Sequence, residues 1–138
     1  MPGKVFLDTN VLAYAQDADA RDKRTRSREI IVELGKAAEG VISTQVMQEF
    51  YVTATRKLGL PPLAAKAVIK TFDIFEIVHV TPLLIDRAID AAIQNKLGFW
   101  DALVVASASA SECRVLYSED LNHGQTVLGV QIQNPFKR

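Results

Sequence analysis

VFLDTNVLAY, residues 5–14, decides how the chain is read. Val5, Phe6 and Leu7 form a tight apolar run that stops at Asp8-Thr9-Asn10, after which the apolar residues resume. A short apolar run ending in a polar cluster is the pattern of a buried strand. Asp, Thr and Asn are good N-caps, so NVLAYAQ can begin a helix directly behind it. A strand handed at once to a helix is the first half of a crossover unit. The stretch also poses a chemical question: why a carboxylate leaves the end of a buried strand.

Working outward, the same alternation recurs. ADARDKRTRSREIIVELGKAAEG predicts a helix over roughly 20–38, with Ile30, Ile31, Leu34 and Ala38 on one face and Gly40 ending it. GVIS (40–43) is a second short strand. TQVMQEFYVTATRKLG predicts a helix with Thr44 as cap and Gly59 as stop, and Pro62 suits the start of the next, LAAKAVIKTF. IFEIVHV (74–80) reads as the third strand. Thr81-Pro82 opens a helix that carries Leu84, Ile85, Ala88, Ile89, Ala92 and Ile93 on one side and ends at Gly98. WDALVVASASASE is nearly all apolar or small and predicts a buried helix. RVLYS (114–118) is the fourth strand and VQIQN (130–134) a candidate fifth. Short apolar strands separated by helices argue for a mainly parallel sheet of four to five strands between helix layers, a three-layer α/β/α fold.

The bulk composition narrows the setting. The 138 residues fit a single domain, and an apolar fraction of 49% can build its core. No apolar run approaches the about 20 residues that span a bilayer. The N-terminus shows no secretory signal, and the single cysteine, Cys113, has no partner for an internal disulfide, so a cytoplasmic location is expected. Sixteen basic and sixteen acidic residues cancel, so bulk charge points to no partner. One local basic cluster, RDKRTRSR (21–28), carries Arg21, Lys23, Arg24, Arg26 and Arg28.

In open parallel sheets ligands bind beyond the carboxyl ends of the strands. Asp8 follows the first strand, Glu49 lies on the helix after the second, Asp101 leads the buried helix, and Asp120 follows the fourth strand in SEDLNHG. Each has an ordinary reading as well. Asp8 is a possible helix cap, Asp101 sits where a helix dipole favours an acid, and Asp120 lies among turn formers. Glu49 falls mostly opposite the apolar face of Val46, Met47, Phe50, Tyr51, Ala54 and Leu58. Together they say more. Carboxylates gathered at one place repel unless a proton or a cation sits among them, and oxygen ligands favour Mg²⁺ or Mn²⁺. His79, His123 and Cys113 show no zinc-ligand spacing, and no glycine-rich phosphate loop or GxSxG elbow is present. The chemistry that suits such a site is phosphodiester hydrolysis.

VFLDTNVLAY, STQVMQEF, FWDALVVASA and LYSEDLNHGQ, taken in order, resemble the PIN-domain ribonucleases, and among them the VapC-type toxins. The resemblance runs from Val5 to about Phe136, and the ending VQIQNPF also fits it. It implies a metal-dependent endoribonuclease with Mg²⁺ or Mn²⁺ held by Asp8, Glu49, Asp101 and Asp120. Asp8 and Asp101 would touch the ion directly, Asp120 would help hold it, and Glu49 would hold it or activate water. Asn10 and Ser118 would orient these acids. It also implies homodimers and an inhibiting antitoxin, for which LGLPPLAAKAVIKTFDIF (58–75) is a candidate surface. RNA would be attracted by the 21–28 cluster, with Tyr14, Phe99 or Trp100 stacking on a base. Glu119, beside Asp120, should point the other way, and His123 is a further loop candidate. The alternative is a PIN-like scaffold that binds RNA or protein without cutting. An aspartyl phosphatase is disfavoured, because its second acid would fall at Asn10.

Overall fold

A computed structural model describes residues 3–137. Its six strands are β1 (Val5–Leu7), β2 (Gly40–Ser43), β3 (Glu76–Val78), β4 (Val115–Tyr117), β5 (Thr126–Val127) and β6 (Val130–Gln133). The helices are α1 (Thr9–Tyr14), α2 (Asp22–Ala37), α3 (Thr44–Val52), α4 (Pro62–Lys70), α5 (Pro82–Asn95) and α6 (Phe99–Ala110). The strands lie in the order β3-β2-β1-β4-β6-β5, all pairs parallel except β5–β6. The mainly parallel α/β/α sheet expected from the sequence is thus present, extended by the two-residue edge strand β5.

The topology follows from the handedness of crossovers. The chain moves β1 to β2 to β3 in one direction, then returns across the sheet to β4. Right-handed connections put helices from opposite directions of travel on opposite faces. Accordingly α1 packs on α2 and α3, and α3 on α4, while α5 and α6 pack on each other. Phe6, Leu7, Val41, Ile42, Leu116 and Ile132 from the strands are fully buried; Val11, Leu12, Ile30, Val46 and Phe50 meet them from the first helix layer. Val104, Val105 and Ala108 of α6 belong to the same core, so the apolar helix is buried as its composition predicts.

Three local readings are corrected. The cap of α3 is Ser43, not Thr44: the Ser43 hydroxyl accepts from the Val46 N–H at 3.2 Å, while the Thr44 hydroxyl accepts from the Val80 N–H. Helix α2 ends at Ala37, with Ala38 left-handed at φ 56, and Gly40 is instead the first residue of β2. A Cβ on Gly40 would lie 2.5 Å from the Phe75 ring, which is why that position has no side chain. On α5 the buried residues are Leu84, Ala88 and Ala91, which face α6; Ile85, Ile89 and Ile93 are exposed. The apolar side read from spacing is therefore two adjacent stripes, only one of them covered.

The α3 helix passes directly into one π-helical turn, Thr53–Lys57, and stops at Gly59, whose φ of 72 favours glycine. Segment 58–75 divides between core and surface: Ala65, Phe72 and Phe75 are buried, Leu63 and Ile74 exposed. Among the described residues no helix is long and apolar enough to cross a membrane.

Candidate active site

The reversal of direction between β1 and β4 opens a crevice at their carboxyl ends, the usual ligand position in such a sheet. A cleft of about 650 Å³ occupies it. Asp8, Glu49, Asp101 and Asp120 all line this cleft, although up to 112 positions separate them in the chain. Thr9, Asn10, Tyr14, Gln45, Lys57, Trp100 and Glu119 line it too.

Asp8 sits where β1 ends. Its backbone is extended and its side chain caps α1 by accepting from the Thr9 N–H at 2.8 Å. The other carboxylate oxygen accepts from the Ser118 hydroxyl at 2.7 Å and, at 3.5 Å, from the Asn10 amide. The ordinary reading as a cap and the reading as a site residue therefore hold for one side chain. Asp8 is only 7% exposed. Burial pushes its carboxyl up to about 6; the bonds from Ser118 and Thr9 oppose that rise, and the Glu49 and Asp120 charges add to it.

Asn10 and Ser118 bridge Asp8 to Asp120. Asn10 donates from its amide to Asp120 at 3.2 Å and accepts from the Glu119 N–H at 3.2 Å. Ser118, fully buried, accepts from the Asp120 N–H at 3.2 Å while donating to Asp8. Asp101 lies in the first turn of α6 and is exposed. Its carboxyl is raised by burial first, and then by the charges of Asp120 and Glu49. These acids feel one another across the cleft.

Glu49 is half-buried on the cleft side of α3, against the expectation of the wheel. It accepts from the Thr9 hydroxyl at 2.8 Å and from the Gln45 amide at 3.3 Å. Sequence reasoning missed both partners. Gln45 is one turn before Glu49, a spacing that places them side by side on a helix. Thr9 reads from sequence as a cap or a residue bonding around Asp8, not as a partner of Glu49.

Glu119 turns away from the other acids. It accepts from the Tyr14 hydroxyl and from Lys23 Nζ at 2.5 Å. Burial works to raise its carboxyl, but these two bonds outweigh it and leave Glu119 below the ordinary value. Lys23 also lies over the Tyr14 ring at 5.0 Å, and Tyr14 meets Phe136 edge-on. Tyr14 is thus held by its hydroxyl, by Lys23 and by the Phe136 ring. Trp100 is 64% exposed beside the cleft, with the Phe99 ring meeting it edge-on. His123 is not among the residues lining the cleft, and its Nδ1 accepts from the Asn134 N–H at 3.0 Å. The basic cluster is dispersed: Lys23 binds Glu119, Arg26 donates to the Pro135 carbonyl and Arg28 to the Ala15 carbonyl. Lys57 is the one cation among the residues lining the cleft.

Among the described residues no three acidic, histidine or cysteine side chains close into a ready-made coordination shell. The donor set nevertheless suits a hard divalent cation: oxygen ligands only, excess negative charge, and a buried carboxyl at Asp8 with no basic partner bonded to it.

The fold and the cleft define a class: a mainly parallel α/β/α protein with acids collected where the sheet reverses direction. The PIN-domain family model matches residues 5–126, and the chain belongs to that family. Its fold is that of VapC-type proteins. VapC20, the sarcin–ricin-loop-cleaving toxin of Mycobacterium tuberculosis, superposes with a TM-score of 0.64 at 21% identity, over 85% of this chain and 90% of that one. A toxin–antitoxin complex from Klebsiella pneumoniae gives 0.70 at 18% identity, over 98% and 100%. DNA-bound VapBC from Salmonella typhimurium gives 0.67 at 19%, over 95% and 97%. No curated protein sequence matches the chain.

Proposed function

We propose that this protein is a metal-dependent endoribonuclease that hydrolyses RNA phosphodiester bonds at Asp8, Glu49, Asp101 and Asp120. The observation that carries this reading is the arrival of four acids from separate segments in one cleft at the sheet's switch point. Family membership and the toxins among its structural neighbours support it.

Mg²⁺ or Mn²⁺ would be held by Asp8 and Asp101, with Asp120 and Glu49 completing the set. When bound, such an ion withdraws charge from the phosphoryl oxygens and acidifies the attacking water. The chain's own residues do the rest. Ser118 and Asn10 hold Asp8 and Asp120 in register. Glu49, kept facing the cleft by Thr9 and Gln45, accepts the proton of the attacking water. Lys57 offers a positive charge to the phosphate chain, and exposed Trp100 a face for an unpaired base. The protein is read as a single domain acting in the cytoplasm as a toxin restrained by an antitoxin. A groove of about 320 Å³, lined by Ile31 and Val32 of α2 and by Val68, Phe72, Ile74 and Phe75, suits an apolar antitoxin segment. The isoleucine stripe of α5 suits a second copy of this chain.

The test is cleavage of labelled structured RNA by purified protein with Mg²⁺, Mn²⁺ or EDTA, beside Asp8→Asn and Asp101→Asn. Metal-dependent cleavage lost in both variants is the expected result. No cleavage together with no metal binding would leave a non-cutting scaffold as the better account.

A further inference from the structure

Gln45 is only 4% exposed, yet it lines the acidic cleft. Its amide nitrogen donates twice, to Glu49 at 3.3 Å and to the Trp100 backbone carbonyl at 3.2 Å. Its amide oxygen is buried and has no hydrogen-bond donor. Turning the amide over does not relieve this. It would set the oxygen against a carboxylate and a carbonyl, both acceptors, so the two neighbours fix which end is which. A buried oxygen left without a donor costs stability, so the amide is kept at that cost for the two bonds its nitrogen makes. The residue's position adds to this. Trp100 immediately precedes Asp101, so one side chain joins the helix bearing Glu49 to the turn bearing Asp101.

We infer that Gln45 is a positioning residue of the cation site: its amide nitrogen holds the Glu49 carboxylate and the turn that carries Asp101. The inference rests on the proposed metal-dependent nuclease and names a fifth residue for it. Acidic clusters alone hold an ion loosely. The two bonds from the neutral amide nitrogen hold Glu49 and the Asp101 turn in place without adding repulsion. Residues that orient ligands in this way commonly alter metal affinity by about 10–100-fold when removed.

The experiment is calorimetric titration of the full chain with Mn²⁺, with thermal unfolding in EDTA as the control for folding. Gln45→Met keeps the length of the side chain and removes both polar ends. The expected result is Mn²⁺ affinity at least about tenfold weaker, with an unfolding temperature in EDTA no lower than that of the parent. Gln45→Glu keeps the oxygens but cannot donate to Glu49 or to the carbonyl. Its Mn²⁺ affinity should fall as well, and parent-like affinity in Gln45→Glu would overturn the role of the donated bonds. Parent-like Mn²⁺ affinity in Gln45→Met, with affinity lost in Asp8→Asn, would overturn the role of Gln45 and leave the nuclease reading standing. No Mn²⁺ binding by the parent protein would overturn both.

Discussion

At the scale of the residue, Asp8 shows what the cleft asks of the chain. It is buried, it caps a helix, and its carboxyl is raised from 3.8 to about 6 chiefly by burial. The folded protein therefore holds that proton more tightly than the unfolded chain does. The resulting contribution to folding is fully present below about pH 4 and lost as pH rises through about 6. In EDTA above that range the buried charge costs up to about 3 kcal/mol. Asp8→Asn keeps an oxygen for the Thr9 N–H and removes the charge. Its unfolding temperature in EDTA should exceed the parent's at pH 7.5 by several degrees, with the gap closing toward pH 4. A gap independent of pH would show that Asp8 is not charged in the fold at neutral pH. The neighbouring acids separate by another measurement. Asp120 faces Asn10 and the cleft, whereas Glu119 is neutralised by Lys23 and Tyr14. Mn²⁺ affinity should fall about tenfold or more in Asp120→Asn and stay near the parent's in Glu119→Gln. The reverse order in a calorimetric titration would exchange their roles. Sequence alone could pick between the two only by motif and strand alternation. The partners that decide it, Tyr14 and Lys23, are 105 and 96 positions away.

At the scale of the element, short apolar runs and their polar ends revealed five of the six strands. Hydrophobic periodicity is a local signal, and the central strands β1 and β2 are buried along their whole length. The edge strand β5 was not seen because Thr126–Val127 is too short to show any period. What periodicity could not supply was the identity of the neighbour. Glu49 looked like a solvent-facing residue because a wheel records only which side is apolar. It does not record that α1 and α3 approach one another and enclose polar groups such as Thr9. Gly40 was misread for the same reason: its meaning lies in Phe75, 35 positions later. Gly40→Ala should overpack that contact and cost about 1–3 kcal/mol. Ser43→Ala, which removes the α3 cap, should cost about 1 kcal/mol. Urea unfolding measures both. A neutral Gly40→Ala would mean that the Phe75 ring moves aside without loss.

At the scale of the whole molecule, a net charge of zero concealed a strongly acidic cleft. Averaged composition cannot report where charges sit, and the basic residues of 21–28 are largely spent on contacts within the chain. The same averaging hid the surface of α5. Ile85, Ile89 and Ile93 recur every fourth residue along its outer side, and Ile93 is 73% exposed. The adjacent stripe of α5, with Leu84 and Ala88, is already committed to α6. A continuous apolar stripe left in water is unfavourable for a monomer, which makes it a candidate association surface. A helix stripe of this kind can meet its own copy across a two-fold axis, where each residue faces its counterpart and no other surface is needed. The parent protein should therefore sediment at twice its 15.2 kDa at micromolar concentration. Ile89→Lys, in the middle of the stripe, should sediment as the monomer. Because Ile89 touches solvent rather than core, its intrinsic folding stability should change by less than about 0.5 kcal/mol. Monomer–dimer separation by that one substitution, with RNA cleavage followed in the same samples, also shows whether each cleft works alone. A parent protein that stays monomeric up to high concentration would sink the self-association and leave the stripe to a different partner.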